Sequence, residues 1–179
     1  MCIRDRRNTV ITGTSSEMKH MYLVPNGVNR GKVMMWQFER DGVTNATYVW
    51  DPANPGTLTS TSQNLRSEIA CCGMTMRPEG DALIAGGVDY ATVGPAPLQP
   101  DETYVIDADT QTLSQLGSMS FGGRFYPQLL TLNEDQDSRT ICFGGIYFTG
   151  ILPAVVSNAI RHWEIFSPHG QTWRNLATT

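Results

Sequence analysis

Apolar residues fall in short runs along the chain, and each run stops at Gly, Pro, Asn or Asp. Met21-Tyr22-Leu23-Val24 ends on Pro25-Asn26-Gly27, Val33-Met34-Met35-Trp36 follows, and Thr47-Tyr48-Val49-Trp50 ends on Asp51-Pro52. Runs of this length bounded by turn residues predict β-strands joined by tight turns. A 3.6-residue periodicity is hard to find; the closest helical candidate, Ala154 to Trp163, is short. The pattern predicts an all-β fold.

The runs also repeat, about 50 residues apart. The unit from His20 recurs from Cys72, as Cys-Gly-Met-Thr-Met-Arg-Pro-Glu-Gly, Ala82-Leu83-Ile84-Ala85-Gly86-Gly87, Thr103-Tyr104-Val105-Ile106-Asp107 and Thr112-Leu113. It recurs again from Tyr126, through Thr140-Ile141-Cys142-Phe143-Gly144-Gly145, Trp163-Glu164-Ile165-Phe166-Ser167-Pro168 and Thr172-Trp173. Each unit reads as four strands. One four-stranded sheet cannot bury both its faces, so such sheets stack as blades around an axis. The Gly-Gly pairs suit strand ends with positive φ or a close backbone neighbour. Pro25-Asn26-Gly27 and Pro78-Glu79-Gly80 carry turn chemistry, Asp51 and Asp107 read as turn-capping side chains, and the strand-three aromatic is expected between blades.

The expected architecture is a kelch-type β-propeller over residues 8–179, with blades at 17–60, 68–117 and 120–178. An unrelated β-sandwich with frequent turns is the alternative. Propellers close with about four to eight blades, and about three are present, so the chain is expected to be an incomplete propeller and a fragment. An open arc exposes two blade faces and strand edges, which predicts poor solubility for the isolated chain.

Composition narrows the partners. Hydrophobic residues make up 40% of the 179, enough for a core, while the net charge is −4 with 17% charged residues. There is no basic stripe for nucleic acid and no polybasic cluster for a membrane surface. The longest apolar run, Ile151 to Val156, is far below the roughly 20 residues of a membrane-spanning helix. Residues 1–7, Met-Cys-Ile-Arg-Asp-Arg-Arg, interleave charge with apolar residues and lack a signal-peptide core; they resemble translated sequencing adapter and are read as a non-native leader. Cys2, Cys71, Cys72 and Cys142 form neither CxxC pairs nor a disulfide framework. Asn45-Ala46-Thr47 fits the glycosylation acceptor pattern, and Asp89-Tyr90 with the loop from Gly94 to Pro100 reads as a surface excursion.

Two blade openings carry a more specific likeness. Glu68-Ile69-Ala70-Cys71-Cys72-Gly73-Met74-Thr75, then Pro78-Glu79-Gly80 and Ala85-Gly86-Gly87, resembles a blade of the galactose oxidase and glyoxal oxidase family, and Gly123-Arg124-Phe125-Tyr126-Pro127 resembles the opening of that family's next blade. The resemblance implies a secreted copper-radical oxidase acting on a primary alcohol, aldehyde or carbohydrate with O₂ to give H₂O₂. It implies that Cys71 and Tyr126 are the catalytic pair, joined by a thioether, with Tyr126 a copper ligand holding a radical delocalised onto sulfur. Tyr147 would stand where galactose oxidase carries a Trp stacked on the crosslinked ring, a departure that weighs against galactose itself. The run Asn158 to Pro168 resembles the glyoxal oxidase branch. The family's other ligands, a Tyr-His pair and a distant His, have no counterpart here, and His20, His162 and His169 do not occupy those positions.

Read without the resemblance, Cys71 and Cys72 are small hydrophobes of a buried strand, and Tyr126 is an inter-blade aromatic. Cys142 reads as structural. Arg124 either pairs with a carboxylate or helps to hold the crosslinked ring. The competing function is a non-catalytic kelch propeller that binds carbohydrate or protein through its loops.

Overall fold

The computed structural model describes residues 17–38, 46–64, 71–87, 100–132, 137–149 and 156–176. Residues 1–7, Asn45, Asp89, Tyr90 and the loop from Gly94 to Gln99 lie outside them. The described residues form fourteen strands and no helix.

Three four-stranded antiparallel sheets follow one another along the chain. The first is β1 (Glu17–Leu23), β2 (Val33–Phe38), β3 (Ala46–Trp50) and β4 (Leu58–Asn64), in that spatial order. The second is β5 (Gly73–Met76), β6 (Ala82–Ala85), β7 (Thr103–Ile106) and β8 (Leu113–Gln115). The third takes β9 (Gln128–Thr131), β10 (Thr140–Phe143), β13 (Trp163–Ser167) and β14 (Thr172–Leu176), while β11 (Ile146–Thr149) and β12 (Val156–Ala159) pair as a separate hairpin between β10 and β13. The expected helical candidate is thus partly strand: its residues 156–159 form the return arm of this hairpin.

The sheets pack face to face through alternating side chains. All four residues of β6 are buried. Because successive strand residues point to opposite faces, Ala82 and Ile84 join Tyr22, Met34, Trp36 and Val49 of the first sheet. Leu83 and Ala85 join Cys142, Phe166 and Trp173 of the third. Each large apolar side chain removed from water there contributes about 1.5–3 kcal/mol. Tyr104 is the inter-sheet aromatic of strand three, as expected. The third sheet's strand-three aromatic, Trp163, is 52% exposed instead, because the alternation of β13 turns Phe166 into the core.

Local chemistry sets the turns. Asp51 accepts from the Ala53 amide at 2.8 Å, and Asp107 accepts from the Asp109 and Thr110 amides at 2.9 and 2.7 Å. Gly27 and Gly80 take φ of 72° and 97° in their turns. Gly86 has φ 70°, and a Cβ there would lie 2.4 Å from the Arg124 carbonyl oxygen. The Gly87 amide donates to that same oxygen at 2.8 Å. The Gly-Gly pair therefore lets the third sheet's first loop approach the end of β6.

Candidate functional site

The end of β6, the start of β5 and the loop 120–127 meet where the second and third sheets abut. Cys71 lies in the turn before β5 rather than in a strand, and Tyr126 lies just before β9. The Tyr126 amide donates to the Cys71 carbonyl at 2.8 Å, so residues 55 apart in sequence are backbone neighbours. Both sit in the left-handed region, Cys71 at φ 61° and Tyr126 at φ 55°. Such a conformation is uncommon for side chains of this size and persists where the surroundings impose it. Gly73 makes the approach possible, since a Cβ there would lie 2.8 Å from the Pro127 carbonyl oxygen.

Tyr126 is 56% exposed and is therefore not packed as an inter-sheet aromatic; its ring meets Phe125 edge-on at 4.2 Å. Phe125 exchanges both backbone hydrogen bonds with Ile146, at 2.9 and 2.8 Å, and this bridge ties the loop to β11. Tyr147, next along β11, is 41% exposed. The other thiols are core residues. Cys72 is buried in the first inter-sheet cluster, where burial pushes its pKa up, and Cys142 is buried in the second, pushed up to about 12 mainly by burial.

Arg124 is fully buried and pairs with a carboxylate. Its Nη2 donates to Glu164 Oε2 at 2.5 Å, and both side chains are 0% exposed. Nη1 donates to the carbonyls of Gly144 at 3.1 Å and His162 at 2.9 Å. Glu164 Oε1 accepts from the Ser120 and Phe121 amides at 2.6 and 3.1 Å. Sequence reasoning left the acid unnamed; the available signal was a lone carboxylate inside an otherwise apolar strand. Beside this pair opens a cleft of about 550 Å³ lined by Phe121, Gly123, Tyr147, Ile160, Arg161 and His162 among others. Phe121 and His162 stack with ring centres 4.2 Å apart and planes 4° from parallel.

Tyr126 can offer one phenol oxygen to a copper ion from its exposed position. Among the described residues no three His, Cys, Asp or Glu side chains converge to hold a metal.

Comparison with solved structures fixes the fold. A fungal alcohol oxidase of the AA5 family, solved in complex with copper, matches with TM-score 0.58 and 18% identity over 90% of this chain and 32% of its own. A protein named YjhT matches with TM-score 0.58 and 13% identity over 82% of this chain and 49% of its own. The chain has an incomplete β-propeller fold. It spans about a third of the oxidase and about half of YjhT. No family model matches the sequence, and no curated protein matches it. Among the described residues no helix is long and apolar enough to cross a membrane.

Proposed function

We propose that this chain is the part of a secreted copper-radical oxidase that carries the Cys71–Tyr126 pair, the whole protein oxidising a primary alcohol or aldehyde. The observation that carries the reading is the meeting of these two residues: a cysteine and a tyrosine, 55 positions apart, joined by a 2.8 Å backbone hydrogen bond with both backbones held left-handed. The fold likeness to a copper alcohol oxidase supports it.

Thioether formation balances as one Cys S–H and one ring C–H lost, one C–S bond formed, and O₂ reduced to H₂O₂. Bound copper would supply the second one-electron centre, so that copper and radical together accept the two electrons of the substrate. Turnover balances as RCH₂OH plus O₂ giving RCHO plus H₂O₂. Of this chain's own residues, Tyr126 provides a ligand oxygen and Cys71 the sulfur over which the unpaired electron spreads. Tyr147 is placed in this reading as a neighbour that shields the ring. Arg124, engaged by Glu164, holds the loop 120–127 in position. The remaining ligands belong to residues beyond these 179.

The test is peptide mapping of the protein expressed from the complete reading frame, after treatment with copper and O₂. The expected result is a Cys71-to-Tyr126 crosslinked peptide two hydrogens lighter than the sum of its parts, lost in Cys71→Ser. A copper-loaded sample with both residues free overturns the oxidase reading. The second reading, a non-catalytic propeller binding carbohydrate, is favoured by the aromatic-lined cleft beside Tyr147.

A further inference from the structure

The buried Arg124–Glu164 pair does more than fill space. A fully desolvated ion pair is costly unless its remaining hydrogen-bonding positions are filled. Arg124 Nε is left without a partner, but Nη1 and both Glu164 oxygens are engaged, and residues of the cleft supply part of those contacts. Glu164 accepts from the Ser120 and Phe121 amides, which fixes the wall carrying Phe121. Arg124 donates to the His162 carbonyl, which fixes the part of the lining that carries His162. The two meet in the parallel Phe121–His162 stack. Sites hold their geometry when buried contacts support them in this way.

The lining has a definite chemical character. Phe121, Tyr147 and His162 offer aromatic surface, and Arg161 is exposed. No carboxylate lines the cleft among the described residues, since both oxygens of neighbouring Glu164 are engaged within the fold. The volume of about 550 Å³ falls within the roughly 300–1,000 Å³ of small-molecule sites. We propose that this cleft binds a carboxylate-bearing sugar, whose C–H face lies against the aromatic wall while Arg161 takes the carboxylate as a paired, charge-assisted contact. The inference needs neither copper nor the thioether, so it survives or fails separately from the oxidase reading.

Calorimetric titration of the full-length protein tests it, with galacturonate, trigalacturonate and galactose as probes. Galacturonate is expected to bind saturably and at least about tenfold tighter than galactose, a difference of about 1.4 kcal/mol. Arg161→Gln should remove that preference, while Arg161→Lys should restore part of it. Because Arg161 is exposed, these variants are expected to fold, which a thermal melt checks. Tighter binding of trigalacturonate than of the monomer assigns the end of a polymer; equal binding assigns the free sugar acid. Equal affinity for galacturonate and galactose, an Arg161→Gln variant that keeps the preference, or no saturable binding to any probe overturns the proposal.

Discussion

The two inter-sheet seams are built to one register and both hold apolar clusters, yet one equivalent position carries opposite chemistry. Tyr104 of β7 pairs with Ile84, two residues before Gly86-Gly87, and Glu164 of β13 pairs with Cys142, two residues before Gly144-Gly145. In the seam between the first and second sheets the position holds an aromatic ring among apolar neighbours. In the third sheet the equivalent position holds a carboxylate bound to Arg124 and to two backbone amides. An apolar seam only has to exclude water. The charged position instead fixes where particular loops lie, and those loops carry Tyr126 and the walls of the cleft.

That contrast is broken most severely at the ion pair. Arg124→Met or Glu164→Met alone leaves an uncompensated buried charge and is expected to cost about 3–5 kcal/mol by urea denaturation. The double variant should recover much of the loss, because two apolar side chains of similar volume then fill the space. Singles that cost less than the double would show that the charges are not desolvated as the structure has them. The apolar side of the comparison has no such rescue. Ile84→Ala, facing the first sheet, and Leu83→Ala, facing the third, should each cost about 2–5 kcal/mol with no compensating partner. A loss at one but not the other would mean that β6 is covered on a single face.

The contrast also separates what local sequence encodes from what only the assembled fold reveals. Strands, turns and the Gly-Gly approach were legible because each depends on a few adjacent residues: alternation along β6, the amides capped by Asp51 and Asp107, the positive φ of Gly80 and Gly86. The β11–β12 hairpin was not legible, since the apolar run from Ile151 to Val156 and the residues that follow it have no alternation that separates strand from short helix. Glu164 was hidden for a different reason: a carboxylate in a strand reads as solvent-facing until Arg124, forty residues earlier, is brought against it. Cys71 and Tyr126 were singled out through a family resemblance, and their backbone contact arises from two sheets abutting, which no local pattern encodes.

The smallest expected effect lies at a turn beside the first seam, between core residues Ile106 and Ala108, in the sequence-legible part of the molecule. Backbone hydrogen bonding from Thr110, with further help from its side chain and from the Asp109 amide, holds the Asp107 carboxyl below the ordinary 3.8 despite some opposing burial. A folded-state pKa below the unfolded value means that the unfolded chain binds the proton more readily. The stabilisation is therefore present above about pH 4 and disappears as pH falls through the folded value. Asp107→Asn should cost about 1 kcal/mol near neutrality, the scale of one side-chain-to-backbone hydrogen bond. The gap between wild type and variant should then narrow below pH 4, as the wild-type carboxyl itself becomes neutral. A gap that stays constant down to pH 2.5 would show that Asp107 acts through shape rather than charge. The turn would then belong with the apolar seam rather than with the electrostatic control seen at Glu164.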